Sequence, residues 1–140
     1  MRSADRFRHW SIALRRIGLG GLFLWFGVHE IVAPLPAFES FVPAWGLAVI
    51  EAIPALTLAT LIRIHGFIEV VFGLLLLVGA FARMAAVGLS VLLILIVVEA
   101  LAAAASDIVA RDLALLAMTL SVALYGSDRL SVDARWRGHI

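Results

Sequence analysis

Gly66–Ala100 reads GFIEVVFGLLLLVGAFARMAAVGLSVLLILIVVEA and carries only three charged residues, Glu69, Arg83 and Glu99. A helix that crosses hydrocarbon needs about 20 mostly apolar residues. The stretch therefore reads as two spans joined by a tight turn at Arg83. The first has GFIEVVFGLLLLVGAFA as its core, and the second runs from Met84 to about residue 104. Upstream, ALTLATLIRIH is compatible with the same helix, which leaves open whether the first span is one long tilted helix or breaks near His65.

Working outward, IALRRIGLGGLFLWFGVHEI (12–31) is an earlier span closed by Pro34 and Pro36. Arg2, Arg6 and Arg8 precede it in the manner of a secretory signal. The apolar run is longer than the roughly 7–15 residues of a signal core, and no small-x-small site follows, so a retained helix is expected. Between this helix and the next lie Glu39, Pro43, Glu51 and Pro54, which break any clean crossing and predict a loop with short helical pieces. Downstream, 107–125 forms a last span that Gly126 ends, and SDRLSVDARWRGHI reads as a short polar tail. The expected architecture is an all-α transmembrane four-helix bundle. Its spans are 12–33, 55–82, 84–104 and 107–125, with a loop or short-helix segment between the first two and a cytoplasmic tail over 126–140.

Composition agrees. Hydrophobic residues make up 64% of the 140, charged residues 15%, and the mean hydropathy is +1.09. A soluble domain carries about a quarter charged residues, so the lipid bilayer is the solvent this surface fits. The net charge of +1 and the lack of a basic stripe exclude nucleic acid as a partner. Cysteine is absent, which excludes disulfides, thiol redox catalysis and iron–sulfur ligation. Every basic residue is arginine. With the N-terminus inside, nine of the 11 lie on the cytoplasmic side and only Arg63 and Arg111 on the other. Trp10 and Trp136 then fall in the inner aromatic belt and Trp45 in the outer one.

Gly20 and Gly27, and Gly66 and Gly73, are pairs spaced by seven that would let neighbouring helix backbones approach. The charges carry more chemistry. His29 and Glu30 end the first span; Arg63, His65 and Glu69 occupy the outer part of the second. Glu99 lies in the outer part of the third, and Asp107, Arg111 and Asp112 begin the fourth. A charge at mid-span costs about 2.5–3.5 kcal/mol or more, so these groups should face the interior and find partners. Spacing suggests His65 with Glu69 and Asp107 with Arg111, each four apart. Arg111 is the expected bridge to Glu69 or Glu99. Acids outnumber arginines in this set, which predicts a poised carboxyl or histidine able to exchange protons, or else a set of ion pairs that only holds the helices in register. His29, Arg63, His65, Glu69, Glu99, Arg111 and Asp112 are the candidate binding or proton-exchange residues. Bis-histidine haem ligation by His29 and His65 rests on two residues alone and is set aside. No metal site is expected, because His29, His65 and Glu69 form no tight ligand motif. His9 and His139 read as solvated.

Four segments taken in order also resemble a known family: RIGLGGLFLWFG in the first helix, GFIEVVFGLLLLVGAFAR across the second, RDLALLA in the fourth, and the ending DRLSVDA. Together they resemble the DoxX family over nearly the whole chain. Glu69, Arg111 and Asp112 match its charged positions, whereas His29 stands where many members have a lysine or another polar residue. The resemblance implies a four-helix bundle of the bacterial cytoplasmic membrane, associated with redox systems. The family takes its name from a membrane component linked to thiosulfate:quinone oxidoreductase, and some members look like anchors for soluble oxidative-stress enzymes. The expectation is thus a membrane subunit of a quinone-linked complex, with protein partners, a quinone as the suggested ligand and no self-contained catalytic motif. A non-catalytic accessory subunit is the alternative, and a small-solute or lipid carrier is a third reading.

Overall fold

The computed structural model describes residues 3–34, 42, 44–54, 56–126 and 128–137. Expectations for Arg2, Pro36, Glu39, Pro43 and His139, and for the side chains of Arg6, Arg8, Trp45 and Arg137, lie outside the described residues. The described chain is helical: α1 (Ser3–Val32), α2 (Ala44–Glu51), α3 (Leu58–Val78), α4 (Ala82–Ala102), α5 (Ser106–Tyr125) and α6 (Val132–Arg137). Four of these, His9–Val32 within α1 together with α3, α4 and α5, are long and apolar enough to cross a membrane. The expected four-helix bundle is observed, with α2 as the short helix between the first two spans.

Boundaries follow local chemistry. The question left open near His65 is resolved, since α3 runs through that residue without a break. It starts only at Leu58, where the Thr57 hydroxyl accepts from the Thr60 amide and supplies the N-cap. Gly79 ends it in the left-handed region (φ 74°), which lets its own amide and that of Ala80 reach back to the Leu75 carbonyl. Only three residues, 79–81, separate α3 from α4, and three more, 103–105, separate α4 from α5.

Helices in lipid gain nothing from hiding apolar surface from other apolar surface, so association depends on close packing. The α1–α3 crossing obtains it through glycine. A Cβ on Gly20 would lie 2.8 Å from the Gly73 carbonyl oxygen, and one on Gly66 would lie 2.7 Å from that of Gly27. The two pairs meet in reverse order, so the helices are antiparallel and touch through their backbones at two levels. Alanines serve the same purpose on α4, where Ala82, Ala85 and Ala86 are fully buried beside Leu19, Phe23, Leu76 and Leu89. Outward-facing Trp25, Phe67, Val78, Met84, Val91, Leu95 and Leu124 form the apolar exterior that lipid would cover.

The segment expected as a short polar tail packs against the bundle over residues 128–137. Asp128 and Ser131 are buried, and Asp133 reaches the start of α4, where its carboxylate accepts from the Phe81 and Ala82 amides at 2.8 and 2.9 Å. Arg16 meets the same segment. It is buried, with Nε donating to Asp128 at 2.7 Å and Nη1 donating to the Leu76 and Leu77 carbonyls that end α3. The orphan carbonyls of one helix and the orphan amides of the next are thus satisfied by side chains remote in sequence.

Candidate functional site

The alanine-rich core lies toward the Arg16–Asp128 end of the bundle, and the opposite half holds Glu30, His65, Glu69, Glu99, Arg111 and Asp112. The Gly27–Gly66 contact controls this half. Because Gly66 has no side chain, Glu30, one turn after Gly27, lies directly against α3; a Cβ on Gly66 would come within 2.7 Å of the Glu30 Cβ. The Glu30 carboxylate then meets His65, with Oε2 2.7 Å from Nδ1. Glu30 is 6% exposed, so it is an interior group rather than an edge one. The expected partnership between His65 and Glu69 on their own helix is replaced by this interhelical bond.

Glu69 follows one turn along α3 and is 3% exposed, with its Oε2 accepting no hydrogen bond. The expected bridge from Arg111 to Glu69 or Glu99 is not formed. Arg111 instead pairs with its neighbour Asp112, through Nε at 2.7 Å and Nη2 at 3.2 Å, and lies over the Phe26 ring at 5.4 Å. This geometry anchors a half-exposed guanidinium to a carboxylate that is 1% exposed.

Two cavities flank these groups. One, of about 420 Å³, lies among α1, α3, α4 and α5, with Glu30, Glu69, Asp112 and Arg111 as its polar lining and Phe23, Phe26 and Leu115 as its apolar lining. His29 and Asp107 also line it, and His29 stacks at a tilt on Trp25, 4.7 Å between centroids. The other, of about 460 Å³, lies under α2 and between α3 and α4, is mostly aliphatic, and takes its polar groups from His65 and Glu99. The structure thus gathers Glu69, Arg111, Asp112 and His29 around one space and places His65 and Glu99 on the other. Arg63 is exposed and lines neither. The two histidines proposed as haem ligands line different cavities. Sequence reasoning left Glu30 out of the candidate set, although its place three residues after the packing glycine Gly27 was the available signal.

A family model described as TQO small subunit DoxD matches residues 35–137. Comparisons with the curated proteins and with the solved structures returned no match. The matched region takes in α2 through α6, including the Glu69, Arg111–Asp112 and Asp128–Asp133 segments that carried the resemblance noted above. By that match the chain belongs to the DoxD family, a relative of the DoxX family rather than DoxX itself.

Proposed function

We propose that this protein is the membrane subunit of a quinone-linked redox complex and that it binds the polar headgroup of a quinone-type amphiphile in the cavity among α1, α3, α4 and α5. The observation that carries the reading is the composition of that cavity. A buried carboxylate with a spare acceptor oxygen, Glu69, faces the same space as an anchored guanidinium, Arg111. Aromatic and aliphatic side chains complete the wall. Ligand sites are mostly apolar with a few placed polar groups, and this one has that balance. Arg111 would donate to a carbonyl oxygen of the headgroup, and Glu69 would accept from a hydroxyl. The family description, a small subunit, supports a larger assembly with protein partners. The arginine count supports the bacterial cytoplasmic membrane with both termini inside.

The test is a gentle detergent purification followed by solvent extraction and chromatography for quinone. Wild-type protein is expected to retain quinone in stoichiometric amount, and Glu69→Gln and Arg111→Gln to lose it while keeping their elution volume. Colourless, quinone-free protein that arrives with other subunits defeats this reading. It would favour an accessory bundle instead, which has an observation of its own: Glu30 with His65, and Arg111 with Asp112, already pair within the chain.

A further inference from the structure

Between the two cavities lies a group of side chains with a different capability. Glu30, His65 and Glu69 each present one ligand-type atom, and the three atoms lie within 4.8 Å of one another. Two carboxylates against one imidazole leave the layer short of positive charge even when the imidazole is protonated. The guanidinium that lines the same cavity as Glu30 and Glu69, that of Arg111, is held by Asp112. A second observation is independent of this count: Glu69 is 97% buried by the complement of its 3% exposure, and its Oε2 has no hydrogen-bond donor. A buried carboxylate oxygen left without a partner is costly, and a cation is one way to satisfy it.

We propose that Glu30, His65 and Glu69 form a three-ligand site for a divalent first-row transition-metal ion, with the remaining coordination positions facing the cavity beside Glu69. The donor set is one imidazole nitrogen and two carboxylate oxygens, with no thiolate. The imidazole suits zinc, copper, iron or nickel and the two carboxylates admit manganese, whereas calcium and magnesium prefer all-oxygen shells. Donors at about 2.0–2.2 Å around a four-coordinate ion are about 3–4 Å apart. The 2.7 Å contact between His65 and Glu30 therefore opens slightly and Glu69 closes slightly, movements within the reach of side-chain rotation. The sequence alone predicts no metal site, because His29, His65 and Glu69 form no tight ligand motif. In the structure His29 is exposed, and its buried neighbour Glu30 takes that place.

The site shares Glu69 with the amphiphile reading, rests besides on the convergence of Glu30, His65 and Glu69, and is tested separately. Purified wild-type protein, stripped with EDTA and exchanged into chelator-free buffer, is titrated with Mn(II) while free Mn(II) is followed by its EPR signal. One ion is expected to bind per chain, with Glu30→Gln and Glu69→Gln each weakening it by at least about tenfold. A Cu(II)-loaded sample is expected to show pulsed-EPR coupling to an imidazole nitrogen that His65→Asn removes and His29→Asn keeps. Wild-type protein that takes up no Mn(II), or affinity unchanged in both glutamine variants, overturns the proposal. If the variants do not fold, the wild-type nitrogen coupling decides: its absence overturns the site. Quinone retention on the stripped sample is read independently, so either result leaves the other interpretable.

Discussion

Arg16 brings a charge to a place where its side chain is 1% exposed, and three acceptors meet it there: the Asp128 carboxylate and the carbonyls of Leu76 and Leu77. Removing one partner of a buried pair strands the other, at a cost of about 3–5 kcal/mol. Arg16→Gln and Asp128→Asn are each expected to lower the thermal midpoint in detergent sharply, read by tryptophan fluorescence. Arg16→Lys should not restore it, because a single ammonium lacks the fork that spans a carboxylate and two carbonyls. Glu69 is the opposite case. Its carboxyl is buried with one oxygen unmatched, so in EDTA-stripped protein Glu69→Gln is expected to be neutral or stabilising by about 1 kcal/mol. Adding Mn(II) should then raise the midpoint of the wild type and leave that of Glu69→Gln where it was, because a ligand stabilises only the state that binds it. Glu69 and Asp112 could be read from the sequence as interior groups, since hydrocarbon leaves them no other place, whereas Arg63 and His29 of the same set are exposed. The pairings could not be read. His65 has Glu69 one turn away on its own helix, yet the glycine at 66 brings Glu30 closer.

At the scale of helices, two positions on α1 that look alike in sequence are expected to behave oppositely. Gly27 faces Gly66, and a Cβ there would run into the Gly66 carbonyl and the backbone of Val70; Gly21 has nothing within 4 Å of the same added atom. Gly27→Ala is expected to push α1 from α3 and destabilise by about 1–3 kcal/mol. Gly21→Ala should be neutral or stabilise by up to about 1 kcal/mol, since it removes backbone freedom from a helix interior without a clash. Thermal midpoints of the two variants measured side by side check the contrast. The start of α4 makes a related point. Phe81, the residue at its N-cap position, contributes no side-chain hydrogen bond, and Asp133 supplies the missing acceptors from the far end of the sequence. Asp133→Ala is expected to cost about 0.5–2 kcal/mol, as loss of a capping side chain does elsewhere. The spans were legible because apolar length signals them locally, although the turn expected at Arg83 lies at 79–81, where Gly79 ends the helix. Asp133 was not, because nothing near it in sequence shows that α4 starts without a cap.

For the molecule as a whole, the division is between a half packed through alanine and glycine and a half that encloses two cavities around buried charge. Orientation across the membrane is open to direct test, because the sequence contains no cysteine and any introduced one labels alone. Cysteine at exposed Arg129 is expected to react with an impermeant maleimide only in inverted vesicles, and cysteine at exposed Ala104 only in intact cells. Labelling with the sides exchanged would reverse the orientation and move both cavities to the cytoplasmic leaflet. Fold class was legible from apolar length, whereas the cavities were not. Their shape depends on which helices leave space between them, a property of four packed surfaces rather than of any one segment. The closing of the α3–α4 hairpin by Arg16, Asp128 and Asp133 also has a consequence in time. Translation delivers α3 and α4 well before it delivers residues 128–133, so the nascent hairpin waits in the membrane with its bend unsealed. Residues 128–133 complete it when they emerge, and a chain cut short before Asp128 would present an open hairpin to the proteases that survey new membrane proteins.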